Sequence, residues 1–212
     1  TIMVGVILFW SAANSKRGWG WALVGVYALW VAANAILLIP RHPELLAERA
    51  QRSIEGMKSW DKTLLGIIGI ATLAKYILAG LDIRNSWSTS MPVWVHVAAL
   101  LLSAFGYALS TWAMTENAYF SMIVRYQEDR GHRVCNTGPY KFVRHPAYIG
   151  TLLFEMVVPF LLGSWWTLIP SSFVAILMVI RTALEDRALQ AELPGYIEFT
   201  GETRFRLLPG IW

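Results

Sequence analysis

Residues 147–180 read AYIGTLLFEMVVPFLLGSWWTLIPSSFVAILMVI, and the fold turns on how this stretch is taken. Its 34 positions hold one charged side chain, Glu155. A helix rises about 1.5 Å per residue, and one bilayer crossing takes about 20 apolar residues. The stretch is therefore too long for one span and short for two full ones. Gly163 and Ser164 interrupt it midway and Pro170 follows. It reads as a helical hairpin turning near Gly163 and Ser164. Both ends of such a hairpin lie on the same side of the membrane, which brings the residues just before 147 beside those just after 180.

Working outward, four more apolar segments precede it. Ile2–Ala13 is short, Trp19–Ile39 is uncharged and ends at Pro40, Leu64–Leu81 holds Lys75, and Pro92–Met114 is uncharged. Charged residues make up 15% of the chain, against about 25% in a soluble domain. With a mean hydropathy of +0.46, the class is an all-α, multi-pass integral membrane protein. Four transmembrane helices and the hairpin would carry a small cap built from 115–146 and 181–212. The parts are residues 1–114, N-terminal spans with a loop at about 40–62, and residues 115–212, where the chemistry-bearing motifs lie. They read together as one structural domain. The 40–62 segment suggests an interfacial helix or a structured loop and is assigned no chemistry.

The basic residues orient this layout. If 115–146 is cytoplasmic, so are 40–62 and 181–212. Those regions hold Arg41, Arg49, Arg52, Lys58, Lys62, Arg125, Arg130, Arg133, Lys141, Arg144, Arg181, Arg187, Arg204 and Arg206. The opposite side holds only Lys16, Arg17 and Arg84, as the positive-inside bias requires. The net charge of +4 then points to membrane lipids as partners and not to nucleic acid. A lone cysteine, Cys135, permits no intrachain disulfide. No metal-ligand pattern is present. The chain begins at Thr1 inside an apolar stretch, so a few residues are expected before it, and no cleaved signal peptide is expected.

Two polar clusters flank the hairpin. The first runs from Asn117 to Gly150, NAYFSMIVRYQEDRGHRVCNTGPYKFVRHPAYIG. Turns at Gly138-Pro139 and His145-Pro146 confine Tyr140, Lys141, Arg144 and His145 to a short connection at the hairpin's mouth. Basic and aromatic residues also anchor membrane proteins at the interface, and the residues alone leave that alternative open. The second cluster is RTALEDRALQAELPGYIEFTGETRFRLLPGIW, 181–212. Arg181 and Glu185 stand four apart on one helix face, a spacing that also suits a surface ion pair worth a few tenths of a kcal/mol. An arginine ending an apolar span is more often buried and functional. The tail, Leu207 to Trp212, is expected to pack back at the interface.

GPYKFVRHPAYIG (138–150) and RTALEDRALQAELPGYIEF (181–199) together resemble the paired signatures of the isoprenylcysteine carboxyl methyltransferases and related phospholipid methyltransferases. They occur in the family's order, with the apolar hairpin between them. The resemblance covers about residues 115–212. It implies a membrane enzyme that transfers methyl from S-adenosyl-L-methionine and releases S-adenosyl-L-homocysteine. It assigns His132, Arg133, Val134, Cys135, Tyr140, His145, Pro146, Ala147, Tyr148 and Glu185 to the cofactor pocket. Gln127 or Arg125 matches a further polar contact. Arg181 matches an arginine facing the methyl acceptor, and Asn117 stands where the family often has asparagine. Asp186 replaces the family's second glutamate and keeps its charge.

The implied acceptor is a lipophilic small molecule or a lipidated chain, most simply a carboxylate such as prenylcysteine or a related isoprenoid or lipid acid. A carboxylate is already ionised at neutral pH, so it needs no base, and an arginine can grip it through two parallel hydrogen bonds. A lipid amine or small thiol would need Glu185 or His145 as base. Glu155, about two turns inside the hairpin, either pairs with a neighbouring helix or touches substrate. Lys75 is expected to snorkel toward the outer surface. Two readings of other classes stand beside this one: an NADPH-dependent sterol-type reductase, and a scaffold or transporter without catalysis. The methyl acceptor and the oligomeric state are not legible.

Overall fold

The computed structural model describes residues 2–13, 18–41, 43 and 56–212. Seven α-helices are found among them: α1 Ile2–Ala12, α2 Gly18–Leu38, α3 Ser59–Asn85, α4 Val93–Glu116, α5 Pro146–Leu162, α6 Leu168–Glu192 and α7 Tyr196–Glu202. No strand occurs among the described residues. Helices α2, α3, α4 and α6 are long and apolar enough to cross a membrane, so the chain is an all-α, multi-pass membrane protein. Of the segment 40–62, residues 42 and 44–55 lie outside the described ones, as do Lys16 and Arg17.

The hairpin forms as its sequence suggests. Pro146 opens α5 at a position where its missing N–H costs nothing, and Gly163 ends it at φ 71, a conformation that suits glycine. Pro170 falls in the first turn of α6, where it breaks no helical hydrogen bond. The turn is tied down at its own end of the molecule. Ser164 donates to Asp82 of α3, which also accepts from the Ser88 amide at 2.7 Å. His96 of α4 bonds the Leu161 carbonyl at 2.9 Å through Nδ1, and Trp19 stacks on its ring.

At the other end α5 is pressed onto α4. A Cβ on Gly150 would stand 2.2 Å from the Gly106 carbonyl oxygen, so only glycine permits this crossing, as in other membrane helix pairs that meet through small residues. Ser110 of α4 donates to the Ala147 carbonyl at 3.1 Å. This contact fixes the start of α5 beside the end of α4. The residues on either side, 117–145, are thereby gathered into one cap.

Lys75 does not snorkel. Its ammonium is fully buried and meets Glu155 of α5 at 2.6 Å. Helix α3 runs on to Asn85, which leaves Lys75 about 15 Å from the helix end by helical rise. That distance is beyond the reach of its side chain. Glu155 thus takes the paired alternative. Lys75→Met should cost about 3 kcal/mol of stability, because it strands a buried carboxylate. Lys75→Met with Glu155→Leu should recover most of the loss. Thermal denaturation of both variants in detergent checks this, and a double variant no better than the single would refute it.

Candidate active site

The two polar clusters meet, and Asp186 is where they join. It is completely buried. Arg144 donates to it through Nε at 2.7 Å and Nη2 at 3.2 Å. Arg206 adds a bond at 2.8 Å, Gln190 one at 2.7 Å and the Tyr196 hydroxyl one at 3.1 Å. His145 Nε2 lies 3.3 Å from the same carboxylate. Arg144 also reaches the carbonyls of Thr203 and Arg204 at 2.9 and 2.7 Å. Arg144 and His145 are each only 6% exposed, so these two are not interfacial anchors, whereas Lys141 and Phe142 are exposed. The tail packs on the same turn: the Arg144 and His145 amides donate to the Phe205 and Arg206 carbonyls at 2.9 and 3.0 Å.

A second chain of contacts runs through α6 one turn earlier. Arg181 does not pair directly with Glu185. Its Nε bonds Asp61 at 2.7 Å and its Nη2 bonds Asp61 at 3.2 Å and the Met122 carbonyl at 3.0 Å. Its Nη1 donates to the Tyr148 hydroxyl, which in turn donates to Glu185. A guanidinium has five N–H donors, and four are thus engaged. The two-pronged grip on an acceptor carboxylate expected of Arg181 is therefore made on Asp61 instead. Asp61 is fully buried and also accepts the Val124 amide at 2.7 Å. The sequence reading missed it because it began the third span at Leu64, leaving Asp61 in a loop. A carboxylate within a turn of an apolar run was the available signal.

Between these two networks lies a cleft with about 780 Å³ of empty space, its open mouth included. Gln127, His132, Arg133, Val134, Cys135, Tyr140, His145, Ala147, Tyr148 and Glu185 all line it, and so do Asn117 and Arg125. Pro146 stands behind them as the first residue of α5. Arg181 and Glu155 are outside the lining: the first acts through Tyr148, and the second sits with Lys75. Residues outside the expected site form much of the wall, notably Tyr119, Phe120, Leu189 and Leu193, together with Tyr196 and Phe199 of the second motif. Tyr196 and Phe199 face the cleft because the chain turns at Pro194-Gly195 into α7, with Gly195 at φ 81.

The loop side of the cleft is braced from within. The Gln127 amide donates to the Tyr119 carbonyl at 2.6 Å and accepts from Arg130 at 2.6 Å. The His132 ring packs between Tyr119 and Tyr126. Burial, helped by Arg130 and Arg125, pushes its imidazole down to about 4, so it is neutral at physiological pH. Burial pushes the Cys135 thiol up, despite its contacts with Thr137, which removes it as a thiolate nucleophile. Asn117 caps its own turn by accepting the Tyr119 amide at 2.9 Å and reaches the Tyr140 hydroxyl at 3.4 Å. The cleft thus presents one carboxylate, two arginines without a share in the Asp186 network, and a set of aromatic faces.

The sequence pattern of the isoprenylcysteine carboxyl methyltransferase family matches residues 98–191, from the second turn of α4 almost to the end of α6. The Bacillus subtilis (strain 168) protein YpbQ, described as uncharacterized, is 31% identical over 172 residues, spanning 80% of this chain and 96% of YpbQ. The human protein-S-isoprenylcysteine O-methyltransferase is 27% identical over 110 residues, which is 51% of this chain. The rat enzyme of the same name matches to the same extent. The chain belongs to the isoprenylcysteine carboxyl methyltransferase family. Its match spans 37% of the length of the two mammalian relatives. The family is one of membrane methyltransferases, and its matched region here contains α5, α6 and the cleft between their polar ends.

Proposed function

We propose that this protein transfers a methyl group from S-adenosyl-L-methionine to a lipophilic acceptor, with residues 115–212 carrying the chemistry on the cytoplasmic side and residues 1–114 completing a single domain. The observation that carries the reading is the cleft in which both signature segments meet around Glu185. Its lining suits the cofactor. Tyr119, Phe120, Tyr196 and Phe199 offer flat faces to an adenine ring, Glu185 offers negative charge to cationic groups, and Arg125 and Arg133 offer positive charge to a carboxylate. Bound there, the cofactor supplies an activated methyl on a positively charged sulfur.

The chain's own residues hold the geometry. Arg181 and Tyr148 fix the Glu185 carboxylate at the cleft wall, and Asp186 locks the His145 turn against α6. Alignment of this kind supplies much of the catalysis in a displacement at methyl. Of the groups able to take a proton, His145 is engaged with Asp186 and Tyr196, Glu185 with Tyr148, and His132 is made a weak base by burial and by Arg130 and Arg125. An acceptor that arrives ionised needs no base, which favours a carboxylate such as prenylcysteine or an isoprenoid or lipid acid over a lipid amine or a small thiol.

Titration of the purified protein with S-adenosyl-L-homocysteine and, separately, NADPH tests the reading. Binding of the first and not the second is expected, with Glu185→Ala weakening it about tenfold, the loss of one charge-assisted contact. Binding of NADPH alone would replace this reading with a sterol-type reductase. Binding of neither would leave a protein without this chemistry.

A further inference from the structure

Four carboxylates are buried among the described residues: Asp61, Asp82, Glu155 and Asp186. Three of them meet a cation, Asp61 with Arg181, Glu155 with Lys75 and Asp186 with Arg144. Asp82, near the end of α3, meets none among the described residues. It is 2% exposed, and its side-chain partners are neutral donors: the Ser88 amide at 2.7 Å, the Ser88 hydroxyl at 2.5 Å and the Ser164 hydroxyl. A carboxylate offers about four acceptor positions, so one is left over. Arg84, on the next turn of chain, is exposed and lines a different pocket, with Phe9 and Trp10. Burying a carboxylate without a counter-charge is costly, and a bound cation would offset that cost.

Asp82 lines a cavity with about 1060 Å³ of empty space, its open side included. This cavity is at the far end of the molecule from the cleft: His96 in its wall and Asn117 of the cleft stand about 30 Å apart along α4 by helical rise. His96 supplies a second group, and it is 7% exposed. The Leu161 carbonyl can only accept, so the bond to it at 2.9 Å puts a proton on Nδ1. In the neutral ring Nε2 is then a lone-pair acceptor, and it has no partner among the described residues. The hairpin turn holds both groups in place, His96 through Leu161 and Asp82 through Ser164. One anionic and one neutral acceptor suit a ligand that carries a positive charge and several N–H donors. A metal ion is a poorer match, because no group of three His, Cys, Asp or Glu side chains able to hold one occurs among the described residues. We infer that this cavity binds a protonated primary amine. Trp87 and Trp166 are exposed beside it and pack edge to face. Tryptophan marks headgroup depth, so the nearest source of the amine is the headgroup of an aminophospholipid. The amine is a bound ligand here and not the methyl acceptor, and the site does not depend on how the cleft is read.

Native mass spectrometry of the full chain, mixed in detergent with equal amounts of phosphatidylethanolamine and phosphatidylcholine of the same acyl chains, tests this. Phosphatidylethanolamine should be retained about tenfold over phosphatidylcholine, whose quaternary head cannot donate, the weight of one charge-assisted hydrogen bond. Asp82→Asn keeps the acceptor for Ser88 and Ser164 but removes the charge, and it should erase the preference. Thr89 is exposed and lines the same cavity, so Thr89→Lys places a competing ammonium there without disturbing a buried contact. It should erase the preference too, and it decides the matter if Asp82→Asn fails to fold. Ethanolamine hydrochloride separates the two sources of amine. If phosphatidylethanolamine is not preferred but ethanolamine raises the melting temperature of the wild type and not of Thr89→Lys, the amine is a soluble one. Equal retention of the two lipids with no thermal shift by ethanolamine overturns the inference, and so does a lipid preference that survives in Thr89→Lys.

Discussion

Asp186→Ala should lower the melting temperature by about 10 °C and abolish S-adenosyl-L-homocysteine binding. The carboxylate is fully buried and is shared by Arg144, Arg206, Gln190 and Tyr196, with His145 beside it. Removing it leaves the Arg144 guanidinium, itself only 6% exposed, with carbonyl partners but no counter-charge. Stranding one partner of a buried ion pair costs about 3–5 kcal/mol, and a chain of this size loses about 2–4 °C for each kcal/mol. The binding loss has a separate cause. Arg144 and His145 enter the cleft directly, and Asp186 is what holds their turn to α6. Asp186→Asn keeps the shape and some of the hydrogen bonds, so it should fall between the two. Thermal denaturation and cofactor titration on the three proteins check this. An alanine variant that melts like the wild type would show that the C-terminal tail alone holds the turn.

What the sequence revealed and what it hid follow from how far apart the interacting residues lie. The hairpin was legible because its determinants are local: a run too long for one span, with Gly163, Ser164 and Pro170 to break it. Once it is a hairpin, membrane topology forces its ends together, so the meeting of the His145 turn with Glu185 and Asp186 follows without any further signal. The residues that the resemblance assigned to a cofactor pocket were legible through it alone, and all of them but Pro146 line the cleft. The Arg181 environment was not. Its counter-charge is Asp61, 120 residues away, and nothing in the local pattern connects the two. Lys75 misled for a related reason. Its depth depends on where α3 ends, and hydropathy ends the span at Leu81 whereas the helix continues to Asn85. Asp186 was read as a conservative replacement of charge, while its weight comes from partners in three separate segments.

Asp61→Asn should weaken S-adenosyl-L-homocysteine binding about tenfold and lower turnover about 10²-fold with any acceptor that the wild type methylates, the scale of a misplaced catalytic geometry. Asp61 does not itself line the cleft, and its one bond to a lining residue is to the Val124 backbone amide. It acts by keeping Arg181 occupied: with Nε and Nη2 on Asp61, the guanidinium has only Nη1 to spend on Tyr148, and Tyr148 carries the contact to Glu185. Arg181 and Glu185 stand four apart on the same helix face, within direct reach of each other. Without the Asp61 charge, the arginine's nearest remaining carboxylate in this chain of contacts is Glu185, and a direct pair would pull that side chain off the cleft wall. The dependence on Arg181 can be measured. If Asp61 works only through Arg181, Asp61→Asn combined with Arg181→Gln should be no worse than the poorer single variant, since residues in one network do not add. Additive losses in the double variant would mean that Asp61 has a role of its own, and the chain from Asp61 to Glu185 would be coincidental packing.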